Sequence, residues 1–219
     1  MLTALRAACR SFVHAWRGLI HTVVHQRNMR VHLVAATLVG FVGSGIPLGL
    51  AEKVTLIFCV LLVLFAEILN SALEALVDLA TEQLHDRARV TKDTAAAGVL
   101  VLALGTVVVF AALVVHNWPV VVASQERIWR QLALGLPVAA CVAGLVWPRR
   151  PSLAVDLLLF ALATLLLIIQ FRDTASTVFS AMTFGVVVIA ADAARVRRRE
   201  PSPPAGRDAR TPKPPLPPP

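Results

Sequence analysis

The sequence predicts an all-α protein that crosses a membrane several times. Hydrophobic residues make up 57% of the 219 residues and charged residues only 16%, whereas a soluble domain of this size needs more polar surface. Six apolar stretches are each long enough to cross about 30 Å of hydrocarbon as a helix. They lie near residues 31–47, 54–78, 95–116, 129–147, 153–171 and 175–192.

The first 27 residues predict an amphipathic helix ahead of the first span. Apolar residues recur at helical spacing, while arginines and histidines occupy much of the remainder. The segment lacks the continuous apolar run of a signal peptide. We therefore expect a helix that lies on the membrane surface, with its apolar face formed by Leu2, Leu5, Cys9, Phe12, Trp16, Leu19, Ile20 and Val23.

The chain has a net charge of +8, and its positively charged residues are distributed according to the predicted topology. Arginines and lysines cluster before the first span, in every second loop and after the last span, and the alternate loops carry few. Under the positive-inside rule this asymmetry places both termini in the cytoplasm. We infer that the positive charge orients the protein in the membrane and contacts lipid headgroups, and we expect no nucleic-acid partner.

Four polar residues interrupt the second span on one face. Glu67, Asn70, Glu74 and Asp78 follow one another at spacings of 3, 4 and 4 residues, within an arc of roughly 80°. A carboxylate at bilayer depth costs about 3 kcal/mol on insertion scales. Three carboxylates on one face are too costly to be incidental, so this stripe is the predicted functional site.

The chemistry of the stripe suits phosphoryl transfer to a lipid alcohol. Carboxylates near the interface can hold Mg²⁺ together with water and phosphates, and Lys92, with Asp93 beside it at the foot of the third span, can neutralise phosphate charge. The deeper Glu67 can accept a proton from a hydroxyl at headgroup depth. No Gly-rich phosphate loop occurs in the sequence.

The spacing within the stripe also bears on assembly. Glu67 and Glu74 are seven residues apart, about 10.5 Å along a helix. A base and a metal ligand that act on one phosphoryl group should lie closer together. Long side chains could close the gap, or spans of different subunits could complete the site in an oligomer.

The segment AEILNSALEALVDLATEQLHDRARVTKDTAAAGVL resembles the signature of the prokaryotic diacylglycerol kinase and undecaprenol kinase family. The upstream AWRGL and RNMRVH segments match the same family, so the resemblance covers roughly residues 5–116. It implies a homotrimeric lipid kinase of the bacterial inner membrane, with three spans per subunit, that uses MgATP. The lipid alcohol would be diacylglycerol or undecaprenol.

The resemblance also implies individual roles. Glu67 resembles the catalytic base that meets the lipid hydroxyl, Glu74 a metal ligand, and Trp16 the lipid-side tryptophan. The positions that line the ATP and active-site region correspond to Asn70, Asp78, His85, Lys92 and Asp93.

One position departs from the family pattern. Members usually carry a metal-binding glutamate immediately before the RNMR-like segment, and here that residue is Gln26. Glutamine offers a neutral oxygen without a charge. We expect Gln26 to contribute to the metal site with a raised Mg²⁺ requirement, unless Glu82 or Asp86 compensates.

The chain is predicted to have three parts. Residues 1–118 form the kinase-like membrane domain, residues 119–195 a three-span extension of open role, and residues 196–219 a basic, proline-rich disordered tail. No cluster of catalytic residue types follows residue 118, and the acids of the extension are expected to sit at span ends. The competing hypothesis is a catalytically degenerate scaffold or transporter subunit on the same helices.

Overall fold

The computed structural model describes residues 2–81, 86–148 and 152–200. Helices account for nearly all of these residues, and no strand occurs among them. The predicted all-α fold is therefore confirmed. The helices are α1 (Leu2–His25), α2 (Arg27–Gly45), α3 (Leu50–Ala80), α4 (Asp86–His116), α5 (Trp118–Ala123), α6 (Gln125–Val146), α7 (Leu153–Phe171) and α8 (Thr177–Arg199).

Five of the six predicted spans correspond to helices that are long and apolar enough to cross a membrane. These are α3, α4, α6, α7 and α8 within the described ranges. The remaining predicted span, 31–47, lies mostly in α2. This helix is not among the five, because Arg27, Arg30 and His32 make its first turns polar. More than half of α2 is instead buried inside the protein.

The N-terminal helix α1 has the predicted two-sided character. Phe12 remains 68% exposed, whereas Ile20 and Val23 are buried in the main hydrophobic core. The helix packs against α2 and α8. Its apolar face is therefore divided between the protein core and an outer surface that a membrane would cover.

The C-terminal helices α6–α8, which we call the extension, pack directly on the kinase-like helices. The contact of α2 with α6 is among the most extensive in the protein, and α2 also packs against α8. A Cβ atom added at Gly135 of α6 would lie 2.5 Å from Cγ of Phe41 in α2. The glycine thus allows the close approach that small residues give to membrane helices, and both parts share one core.

Hydrogen bonds between loops and helix ends define the end of the bundle away from the site. The backbone N–H of Ala175 donates to the carbonyl of Ser44 at 2.8 Å, and the amide of Asn117 donates to Glu52 at 2.7 Å. Since the helices alternate in direction, the junction of α1 with α2, the end of α3 and the start of α4 meet at the opposite end. That end carries the predicted site.

Candidate active site

The polar stripe of α3 runs from the protein interior to the surface. Glu67 is 1% exposed and Asn70 is 3% exposed, whereas Glu74 is half-buried and Asp78 is exposed. The helical spacing read from the sequence therefore produces a graded face. Its buried end lies in apolar surroundings and its exposed end lies where a soluble nucleotide can reach.

Glu67 is the most unusual residue of the stripe. Both of its carboxylate oxygens are buried without a hydrogen-bond partner among the described residues, and so is Oδ1 of Asn70 one turn later. Leaving a buried charged or polar group unpaired costs about 1–3 kcal/mol or more, and such groups in native proteins call for a partner. The arrangement suits a carboxylate whose hydrogen-bond partner is a hydroxyl group on a bound molecule.

An apolar cavity lies beside the turn of α3 that precedes Glu67. It lies between α2, α3 and α4, has a volume of about 280 Å³, and includes Val63 and Leu64 among its lining residues. Because Val63 precedes Glu67 by four residues, both lie on the same face of α3. A hydrocarbon chain can therefore lie one helical turn from the unpaired acid.

The two predicted metal ligands come together. Nε2 of Gln26 donates to Oε2 of Glu74 at 3.4 Å, and Nδ2 of Asn70 donates to Oε1 of the same carboxylate at 3.0 Å. Gln26 stands between α1 and α2 in an extended conformation, which brings its side chain to the stripe.

This donor set fits Mg²⁺. The carboxylate of Glu74 supplies one hard oxygen ligand of the kind that Mg²⁺ prefers. The side-chain amide of Gln26 supplies another if it rotates so that its oxygen takes the place of its nitrogen. No group of three His, Cys, Asp or Glu residues in the described part of the chain could hold a metal. Mg²⁺ commonly takes only one or two protein carboxylates and completes its shell with water and phosphates.

Lys92 bridges α4 to the exposed end of the stripe. Its Nζ lies 2.5 Å from Oδ1 of Asp78, so the lysine stands beside the stripe, as the sequence predicts. Asp93 is exposed and pairs with Arg89 at 3.7 Å, away from this bond. The predicted nucleotide residue His85 lies outside the described residues, as does Glu82.

Trp16 has a partner that sequence reasoning missed. Its indole N–H donates to Oδ2 of Asp192 in α8 at 2.8 Å, so the predicted lipid-side residue contacts the extension. Asp192 was expected only to sit at the end of a span. The two residues are 176 positions apart, and no local signal in the sequence links them.

Comparison with known proteins identifies relatives of this chain. The model of the family described as prokaryotic diacylglycerol kinase matches residues 13–114. The chain is 36% identical to a Synechocystis sp. diacylglycerol kinase over 104 residues, which is 47% of this chain and 59% of that protein. No solved structure matches the chain.

Two further relatives are covered more completely. The Bacillus subtilis undecaprenol kinase is 37% identical over 95 residues, which is 43% of this chain and 77% of that protein. The Escherichia coli K12 diacylglycerol kinase is 31% identical over 100 residues, 46% of this chain and 82% of that protein. The chain therefore belongs to the prokaryotic diacylglycerol kinase family of membrane lipid kinases.

Proposed function

We propose that this chain transfers the γ-phosphate of MgATP to the hydroxyl of a membrane lipid. The observation that carries the proposal is the buried, unpartnered carboxylate of Glu67 at the inner end of a stripe whose outer end holds Lys92. Glu67, a base within the apolar region, suits one of the two substrates, and Lys92, a cation at the surface, suits the other. One substrate is a lipid alcohol and the other a soluble, strongly charged nucleotide.

Each residue of the stripe then has a role. Glu67 accepts the proton of the lipid hydroxyl as that oxygen attacks phosphorus, and Asn70 can hydrogen-bond the same region through its unpartnered Oδ1. Lys92, held by Asp78, lies where it can neutralise phosphate charge. Roles for Asp93 and His85 in nucleotide binding rest on the family resemblance alone. Glu74 and Gln26 would hold Mg²⁺, which supplies charge neutralisation at the phosphates.

The lipid is diacylglycerol or undecaprenol. Relatives carry both names, diacylglycerol kinase and undecaprenol kinase. Both lipids present a primary hydroxyl at the interface, and the apolar cavity beside Val63 can take a hydrocarbon chain of either. Trp16 would contact the lipid from the surface helix.

The proposed assembly is a homotrimer in the bacterial inner membrane, with both termini in the cytoplasm and no nucleic-acid partner. The distribution of positive charge supports the orientation. Helix α4 supports an oligomer, since Val99 is the one buried residue among those described in that helix. Neighbouring subunits could cover this face. Glu67 of one subunit could then lie closer to the metal ligands of a neighbouring subunit than to its own.

The test is transfer of labelled γ-phosphate from ATP by the purified chain in mixed micelles. Separate reactions contain diacylglycerol or undecaprenol, and each is run across a range of Mg²⁺ concentrations. A Glu74→Gln variant should need more Mg²⁺, while Glu126→Gln, at the far end of the bundle, should behave as the parent chain. Absence of transfer to either lipid at every Mg²⁺ concentration would refute the proposed function.

A further inference from the structure

The extension contacts the surface helix of the kinase at more than one point. Asp192 accepts the hydrogen bond from Trp16, and Glu200, just beyond α8, lies 3.3 Å from His25, the last residue of α1. The guanidinium of Arg30, near the start of α2, lies 5.8 Å from the ring centroid of Trp147. The kinase helices α1 and α2 are therefore held by residues that lie outside the family match, which covers residues 13–114.

These contacts differ in strength. The pair of His25 with Glu200 is nearly half-exposed on both sides, and such pairs contribute little. The bond from Trp16 is part-buried and has a charged acceptor, which makes it the strongest of the set. Asp192 is the residue of the extension that acts most directly on a predicted lipid contact.

A cavity of about 410 Å³ lies beside this bond. Its lining is shared between the kinase and the extension, because Trp16 forms one part and the rest comes from α6, α7 and α8. Phe160, Leu157 and Val188 form an apolar wall, and Arg195 lies among the charged lining residues. An apolar wall with a polar, charged part is the surface that an amphiphile requires.

We propose that the extension completes the lipid-binding surface of the kinase, with Asp192 as the residue that positions Trp16. The inference rests on the proposed function, because this cavity would hold a hydrocarbon portion of the lipid substrate in addition to the cavity beside Val63. Asp192 fixes the indole through its N–H, and the wall formed by α7 and α8 receives the hydrocarbon beside it. The extension then contributes to lipid binding without contributing a group to phosphoryl transfer.

The first test separates binding of lipid from binding of nucleotide. Asp192→Ala should raise the KM for lipid about tenfold, the effect of losing a hydrogen bond to a charged group, and leave the KM for ATP unchanged. Asp192→Asn keeps an acceptor oxygen and should stay within about twofold of the parent chain. Asp173→Ala is the matched control, since this acid of the extension pairs with Arg130 at the other end of the bundle.

The second test fills the cavity. Val188→Trp should raise the KM for lipid, whereas Phe184→Trp, one turn earlier on α8 and outside this cavity, should not. Equal effects of Asp192→Ala and Asp173→Ala on both KM values would overturn the proposal, since they would indicate general destabilisation. Equal effects of the two tryptophan variants would overturn it as well.

A third measurement does not depend on activity. Hydrogen exchange of the backbone amides of α1 should be faster in Asp192→Ala than in the parent chain, while exchange in α3 stays the same. If the parent chain transfers no phosphate, the proposed function fails, and unchanged exchange in α1 would separately refute the positioning role. Faster exchange confined to α1 supports that role in either case.

Discussion

Replacing Gln26 with glutamate should make this protein bind Mg²⁺ more tightly and become less stable without it. Nε2 of Gln26 lies 3.4 Å from Oε2 of Glu74. Two carboxylates at that separation repel by about 1 kcal/mol in a water-like medium and about 5 kcal/mol at an effective dielectric constant of 20. Both side chains are half-buried, so the true repulsion falls between these limits.

A bound divalent cation turns this repulsion into attraction. If Mg²⁺ binding removes about 1.4 kcal/mol of this repulsion, a value near its lower limit, the affinity for Mg²⁺ rises tenfold. We therefore expect Gln26→Glu to lower by about tenfold the Mg²⁺ concentration that gives half-maximal phosphate transfer. Without Mg²⁺ its thermal unfolding midpoint should fall below that of the parent chain, and added Mg²⁺ should reverse the order.

The assay is a Mg²⁺ titration of lipid phosphorylation, paired with thermal unfolding in detergent with and without Mg²⁺. Gln125→Glu is the control, because it makes the same charge change at an exposed position that begins α6 at the far end of the bundle. An unchanged half-saturating Mg²⁺ concentration in Gln26→Glu would refute the assignment of Gln26 to the metal site.

Two predictions concern the packing that joins the extension to the kinase. Gly135→Ala should be about 1–3 kcal/mol less stable than Gly105→Ala in denaturant unfolding, because the new Cβ would overlap the buried ring of Phe41 while nothing lies near Gly105; equal stabilities would contradict the close approach of α2 and α6. Asp156→Ala should lower the free energy of unfolding by about 3–5 kcal/mol, since the acid is 4% exposed and two arginines of α8 lie against it; a loss below about 1 kcal/mol in the same assay would show that this ion pair is not effectively buried.

The sequence predicts the parts of this fold that depend on periodicity and on the cost of charge in a membrane. Glu67, Asn70 and Glu74 lie on one face because a helix repeats every 3.6 residues, and the apolar run before Glu67 predicts that this residue lies at bilayer depth. Lys92 meets Asp78 because α4 packs against α3 as its neighbour.

Partners on distant helices were not accessible to the same reasoning. Periodicity shows which face of a helix is apolar, but it does not show which helix covers that face. The bond between Trp16 and Asp192 and the enclosure of α2 by α6 and α8 both depend on that choice. Asp156 lies in the first turn of α7, at a span end as expected, but periodicity does not show that α8 buries it.

The most direct test of the account is the rate of γ-phosphate transfer to lipid by Glu67→Gln, measured beside nucleotide binding. The substitution preserves shape and removes the proposed proton acceptor, so transfer should fall by at least about a hundredfold. Protection of the variant against thermal unfolding by MgATP should remain, because the proposed nucleotide site lies toward the outer end of the stripe. Transfer at the parent rate by Glu67→Gln would contradict the central claim.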